Sequence, residues 1–357
     1  MPMITVPLGE RTYPIHIGSG MLDCLGTHTM EALGDISVAV VTDDNVAPLY
    51  LQRAVASLEN AGLRVCTITL PHGEATKSLE QLAKLYAFLC ESRITRKDAV
   101  VALGGGVMGD LAGLAAATYL RGVHFIQVPT TLLAQVDSSV GGKVAVDLPQ
   151  GKNLVGAFYQ PDFVLVDPET LNTLTDEYWR DGLGEVVKYG CIGDSTLFAL
   201  LEDCAPGGRA ALMARIDEIL QRCIQAKADV VAQDERDTGL RMTLNFGHTI
   251  AHAVETCQRY EGLRHGEAVA LGMHLMTRLT EQKGLTAPGT ADRLDALLHR
   301  LDLPLQLPGL SEETLISAMF MDKKFSGKVL RVIVLNQIGK CFIHPTDATF
   351  FQGMTNI

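Results

Sequence analysis

The sequence predicts an α/β domain on a doubly wound parallel sheet, followed by an all-α domain. Three observations carry that prediction. Up to Asp167, short β-branched runs alternate with segments whose apolar residues recur three and four apart. Beyond Asp167 the strands largely stop, and to about residue 320 the chain is rich in Ala, Leu, Met, Glu and Arg. At 357 residues the chain is long enough for two domains, each with its own core.

Taken in order, strands are expected at ISVAVV (36–41), LRVCTITL (63–70), AVVALGGG (99–106), VHFIQVP (123–129) and FVLVD (163–167). Helices are expected between them at 46–60, 78–91 and 107–120. Pro206-Gly207-Gly208 and Pro288-Gly289 punctuate the helical part. The boundary falls near residue 170, giving domains of 1–170 and 171–357. VLRVIVLNQIGKCFI at 329–343 reads as a short returning hairpin.

Composition narrows the function. With 30 Lys+Arg against 41 Asp+Glu, the net charge of −11 repels phosphate backbones at long range, so nucleic acid is not an expected partner. An anionic ligand must instead be caught by a local cluster of cations. The eight cysteines never fall within four residues of one another, which excludes CxxC redox pairs and zinc-knuckle spacing and suits reduced thiols. The start has no apolar leader, and the longest apolar stretch, Val107 to Leu120, is interrupted by Asp110. A cytoplasmic protein without a membrane partner is expected.

Gly104-Gly105-Gly106-Val107-Met108-Gly109-Asp110 holds the G-x-G-x-x-G spacing directly after a strand and at the opening of a helix. Glycines there let backbone amides approach a pyrophosphate at a helix N-terminus, so a dinucleotide is the expected ligand. The acid that the fingerprint expects about twenty residues on is missing from VHFIQVPTT. Asp43 and Asn45, after an earlier strand, are the available substitutes; alone they would read as an Asx turn with a helix cap.

Four of the ten histidines lie between residues 248 and 274. In NFGHTIAHAVE, His248, His252 and Glu255 share one helix face, and His265 opens a second helix. With Glu185 from GLGEVVKYG they offer a carboxylate and imidazoles suited to Zn²⁺ or a similar divalent ion. Spacing alone favours His248 and His252 as the ligand pair and leaves His265 open. Lys143, Lys152, Asn153, Lys188, Lys227, Arg241 and Asn245 accompany glycines or this helix, a pattern that suits a polyanionic substrate. Any one of these lysines could be a solvated surface residue. In DSSVGGK the paired glycines beside Lys143 imply close approach, while Asp137 could equally be a cap.

These residues resemble the 3-dehydroquinate synthase family. The resemblance runs through HGEATKS (72–78), GGGVMGD (104–110), YLRG (119–122), VPTTLLAQVDSSVGGKVAVD (128–147), GKNLVGAFYQP (151–161), EVVKYG (185–190), LNFGHTIAHAVE (244–255), HGEAVALGM (265–273) and MDKKFSGK (321–328). These segments extend over nearly the whole chain in family order. Gly184, where alanine is common, is a mild departure, and the tail after Lys340 is not matched. The resemblance implies a Rossmann-like NAD-binding domain followed by a helical metal-binding domain. It implies Glu185, His248 and His265 as ligands of Zn²⁺ or Co²⁺, with His252 facing the substrate. It assigns Asp43, Asn45, Glu74, Lys77, Gly104, Gly105, Gly106, Asp110, Thr130 and Thr131 to NAD. Asp137, Lys143, Asn153, Lys188, Lys227, Arg241, Asn245 and Lys324 would surround the substrate. Lys152 would touch both regions, and Lys143 would also neighbour the cofactor.

The implied reaction converts 3-deoxy-D-arabino-heptulosonate 7-phosphate to 3-dehydroquinate and phosphate in the shikimate pathway of aromatic amino acid biosynthesis. Transient oxidation at C5 acidifies C6, phosphate leaves from C7, C5 is reduced again, and ring opening precedes an aldol closure. Another sugar phosphate cyclase, such as a deoxyinosose synthase, is a competing reading. So are a metal- and NAD-dependent polyol dehydrogenase and a non-catalytic NAD sensor. The YLRG match further implies a phosphate contact by Arg121. The helix 107–120 must carry Arg121 to the edge opposite its own nucleotide, so a homodimer is expected in which Arg121 serves the partner's site.

Overall fold

A computed structural model describes residues 3–307, 309–320 and 329–355. The chain divides into two compact units, Met1–Leu174 with Lys227–Glu235, and Thr175–Ala226 with Arg236–Ile357.

The first unit contains β1 (Met3–Val6), β2 (Tyr13–Ile17), β3 (Ser37–Asp43), β4 (Arg64–Leu70), β5 (Ala99–Gly104), β6 (His124–Pro129), β7 (Lys143–Leu148), β8 (Gly151–Phe158) and β9 (Phe163–Val166). Between them lie α1 (Leu25–Leu33), α2 (Gln52–Asn60), α3 (Leu79–Glu91) and α4 (Gly106–Thr118). Seven strands form one sheet in the order β1-β2-β9-β6-β5-β3-β4, with all neighbours parallel except the edge pair β1–β2. Burial on both faces explains the unbroken apolar runs: β5 (AVVALG) is buried at every position. Leu85, Leu111 and Phe125 pack on one face with α3 and α4, and Leu25, Leu58 and Leu165 on the other with α1 and α2. Each such side chain contributes about 1.5–3 kcal/mol of burial.

The strand order reverses between β3 and β5, so Asp43 and Gly104, at adjacent carboxyl ends, flank the crevice where open α/β sheets hold ligands. β1, β2, α1 and the antiparallel hairpin β7–β8 are additions to the elements expected from sequence.

The second unit carries α5 (Asp176–Ile192), α6 (Ser195–Cys204), α7 (Gly208–Met213) and the start of α8 (Ile216–Gln233). It continues with α9 (His248–Cys257), α10 (His265–Gln282), α11 (Thr290–Arg300) and α12 (Glu312–Phe320). The hairpin expected at 329–343 is present as β10 (Leu330–Gln337) and β11 (Lys340–Thr346). Backbone closeness sets these helices: a Cβ on Gly266 would lie 1.7 Å from Asp181 O, and one on Gly272 2.1 Å from Gly247 O. Only glycine permits such approaches. All eight cysteines are free. Among the described residues, no helix is long and apolar enough to cross a membrane.

Candidate active site

At the carboxyl edge of the sheet, none of Gly104, Gly105 and Gly106 has a positive φ. Glycine is favoured there by closeness. A Cβ on Gly105 would lie 3.1 Å from the Thr131 methyl, and one on Gly106 3.0 Å from Ser138 Oγ. Asp43, the candidate substitute for the acid missing from β6, ends β3 on the other side of β5. Asp43 Oδ1 accepts the N–H groups of Asn45 (3.0 Å) and Val46 (2.9 Å), and Oδ2 lies 3.5 Å from a Gly104 Cβ position. Burial pushes the Asp43 carboxyl up despite those two donors. Thr130 donates its N–H to Gly104 O (2.9 Å), while its buried hydroxyl has no hydrogen-bond partner.

Lys77 is buried and pairs with Asp110 Oδ2 at 2.5 Å; its ammonium also donates to Asn153 Oδ1. Burial works against the Lys77 charge, but Asp110, Glu74 and Asp147 hold its pKa above the ordinary value. Burial likewise pushes Asp110 up to about 6 against the pull of Lys77, so at neutral pH the two still form an ion pair. Lys152 Nζ lies 3.2 Å from Glu74 Oε1. Lys227 donates to Asp137 O at 2.6 Å and lies 3.0 Å from its Oδ1. Lys143 opens β7, exposed.

Arg121 lies elsewhere on this unit. It precedes β6, whose His124 is in register with Ala99, whereas Gly104 closes β5 five residues further, about 17 Å along the strand. Leu120 (φ 50°), Arg121 (φ 68°) and Gly122 (φ 121°) are three consecutive left-handed residues. Arg96 Nε holds Leu120 O at 3.0 Å, and Tyr119 Oη donates to Ile94 O at 3.2 Å.

In the second unit Glu185, on α5, is fully buried; its Oε2 pairs with the Lys188 ammonium, and neither oxygen meets a donor in good hydrogen-bond geometry. Nε2 of His248 and Nε2 of His265 each lie 3.4 Å from Glu185 Oε1, and the three donor atoms all fall within 4.8 Å of one another. The other nitrogens are committed. His248 Nδ1 donates to Phe246 O (3.1 Å), and His265 Nδ1 meets Glu255 Oε1 (3.1 Å), which turns both Nε2 atoms toward the Glu185 carboxylate. Burial opposes charge on His265, but Glu185 and Glu255 push it up to about 10. Burial also opposes the Glu185 charge; the neighbouring Lys188 ammonium and the imidazoles hold its carboxyl well below the usual range. A buried carboxylate and two oriented imidazoles that attract positive charge fit a divalent ion.

His252, preferred by spacing, stands one turn from His248 and groups with Glu255 and His265 rather than with Glu185. Asn245, His248 and His252 line a cavity of about 210 Å³ with Arg331 of β10. Arg331 escaped motif reading because β10 lies between the MDKKFSGK segment and the unmatched tail after Lys340, whereas Glu255 was read from its place on the histidine face. Arg241 is buried. Lys324 lies outside the described residues.

Two family models match the chain: 3-dehydroquinate synthase N-terminal over residues 67–181, and 3-dehydroquinate synthase C-terminal over 182–325. The chain is 44% identical over 343 residues to the 3-dehydroquinate synthase of Clostridium kluyveri, covering 96% of this chain and 95% of that one. Among solved structures, it resembles 2-deoxy-scyllo-inosose synthase complexed with carbaglucose-6-phosphate, NAD⁺ and Co²⁺ (TM-score 0.89, 25% identity, 99% and 100% of the two chains). It also resembles 2-epi-5-epi-valiolone synthase from Streptomyces hygroscopicus with NAD⁺ and Zn²⁺ bound (TM-score 0.86, 26% identity, 96% and 95%).

Proposed function

This chain belongs to the 3-dehydroquinate synthase family, and from that premise we propose that it performs the family's reaction with recycled NAD and one divalent metal ion. The substrate is 3-deoxy-D-arabino-heptulosonate 7-phosphate; the products are 3-dehydroquinate and phosphate. The observation that carries the cofactor reading is the buried Glu185 carboxylate, its Oε1 faced by two imidazole Nε2 atoms at 3.4 Å while Oε2 pairs with Lys188. Glu185, His248 and His265 hold Zn²⁺ or Co²⁺. Asp43, Asn45, Glu74, Lys77, Gly104, Gly105, Gly106, Asp110, Thr130, Thr131, Lys143 and Lys152 hold NAD. Held there, NAD would supply reversible hydride acceptance at the C5 carbinol, and the ion would supply Lewis acidity at its hydroxyl.

The protein's own work is orientation and charge. Lys143, Asn153, Lys188, Lys227, Arg241, Asn245 and Lys324 bind the polyanion, stabilise the departing phosphate and fix the substrate's hydroxyls. Asp137, tied to Lys227, keeps that lysine oriented as well as meeting the substrate. His252, outside the Glu185 set yet beside it, faces the substrate.

The assembly is a homodimer in which Arg121 reaches the partner's phosphate. Its support is the position of Arg121 at the amino edge of the sheet. Eight free thiols support a reducing, cytoplasmic setting. The test is phosphate release from the heptulosonate phosphate with trace NAD, with NMR of the product. Many turnovers per NAD and a 3-dehydroquinate spectrum are expected; stoichiometric NADH or an inosose product would overturn the reading.

A further inference from the structure

The hairpin β7–β8 carries Lys152 and Asn153, and its ladder breaks where they stand. Val146 pairs with Val155 and Leu148 with Gly151, so between those pairs one residue, Asp147, faces three: Lys152, Asn153 and Leu154. Such a bulge re-aims side chains but leaves backbone groups outside the ladder. Asn153 adopts a left-handed φ of 57°, a conformation that asparagine tolerates better than most residues other than glycine. Its N–H donates to Asp147 Oδ1 at 2.7 Å. On the other side the Asp147 N–H donates to Lys77 O at 2.8 Å, and Asp147 bridges to Ser78 in parallel. The circuit closes through side chains, since the Lys77 ammonium donates to Asn153 Oδ1.

We propose that Asp147 is a positioning residue for the reaction, its carboxylate locking the bulge that aims Asn153 and its main-chain N–H fixing the segment that carries Lys77. This rests on the reading that Asn153 meets the substrate and Lys77 the NAD. The carboxylate acts as an acceptor for one N–H, a task that needs an oxygen and no charge. Burial already pushes this carboxyl above its ordinary value, with Glu74 adding to the effect against Asn153 and Lys77. An asparagine therefore suffices at this position, whereas a side chain without an acceptor does not.

The test compares Asp147→Ala with Asp147→Asn, alone and combined with Asn153→Ala, reading kcat, KM for substrate and for NAD, metal content and Tm. Misplacement of a binding group by about 1 Å costs on the order of 100-fold, so kcat/KM for substrate should fall 10- to 100-fold in Asp147→Ala at unchanged metal content. Asp147→Asn should stay within about threefold of wild type on the same argument. In the Asn153→Ala background, Asp147→Ala should cost no further kcat, because both act through one residue. Asp147→Val, which keeps strand propensity, serves the comparison should the alanine variant not fold. Wild-type kinetics in Asp147→Ala, equal losses in Ala and Asn variants, or losses that multiply with Asn153→Ala would each overturn the inference. Wild-type kinetics in Asn153→Ala alone would instead remove Asn153 from the proposed substrate set.

Discussion

Gly272 on α10 and Gly247 at the head of α9 meet so closely that one methyl group should dismantle the proposed metal site from a distance. A Cβ at position 272 would lie 2.1 Å from Gly247 O, and real Cβ contacts essentially never fall below 3.0 Å, so Gly272→Ala must separate the two backbones by at least 0.9 Å (3.0 minus 2.1). A carbonyl oxygen cannot swing aside as a flexible side chain can. The strain falls next to His248, which follows Gly247, and on the helix that His265 opens. Metal–ligand distances tolerate about 0.2 Å, so a shift of this size exceeds the tolerance several-fold. Overpacking of this kind costs about 1–3 kcal/mol, which in a unit of this size lowers Tm by roughly 2 to 12 °C. The assay is metal stoichiometry after exhaustive dialysis, by elemental analysis, beside a thermal melt. Gly193→Ala is the control, because nothing lies within 4 Å of its Cβ position and its φ is −152°. If Gly272→Ala binds one ion per chain with wild-type affinity, backbone closeness does not set the ligand geometry.

Further outcomes follow from the same geometry. Glu185→Ala, His248→Ala and His265→Ala should each lose metal and activity together, while His252→Ala keeps its metal and loses rate; full occupancy in the first three by elemental analysis would remove them as ligands. Asp110, raised from 3.8 to about 6 in the folded chain, contributes stability that is fully present below pH 3.8 and lost as pH rises through 6, about 3 kcal/mol in all. The stability of Asp110→Asn relative to wild type should therefore improve by most of that amount between pH 4 and pH 7 in urea titrations, and a flat difference would show that folding does not raise this carboxyl. Mixing Arg121→Ala with Lys188→Ala subunits, each inactive alone, should restore part of the activity in heterodimers, which repair one site. Mixed dimers that form and stay inactive would end the shared-site proposal.

The central sheet was legible because strands buried on both faces announce themselves as unbroken apolar runs, as ISVAVV and AVVALG do. The pair β1 and β2 escaped because four and five residues, one of them Pro14, carry too little period to read. In β7–β8, the glycines and lysines that mark close approach masked the strand alternation. The site divided in the same way. A histidine spacing names the face of one helix, but only packing decides which residue on that face meets a second helix. α5 meets His248 and leaves His252 to Glu255 and His265, a choice that the family resemblance supplied and that spacing along α9 could not. The sequence offered no acid on β6, the next strand, and named Asp43 as a substitute; the reversal of strand order sets Asp43 beside Gly104 on the other side of β5.

The loop at Leu120, Arg121 and Gly122 bends through three successive left-handed residues and is tethered by Arg96 and Tyr119 before any ligand arrives. A surface arginine on a loose loop would sample many directions, and a phosphate capturing it would have to quench that freedom, at about 1–2 kcal/mol for each residue ordered. Here the shape of the chain is settled during folding, so the loop behaves as a short rigid strut with the guanidinium at its tip. A strut transmits position. If Arg121 serves a neighbouring subunit, any change in how two copies seat against each other would reach the neighbour's phosphate undamped, making assembly itself a determinant of turnover.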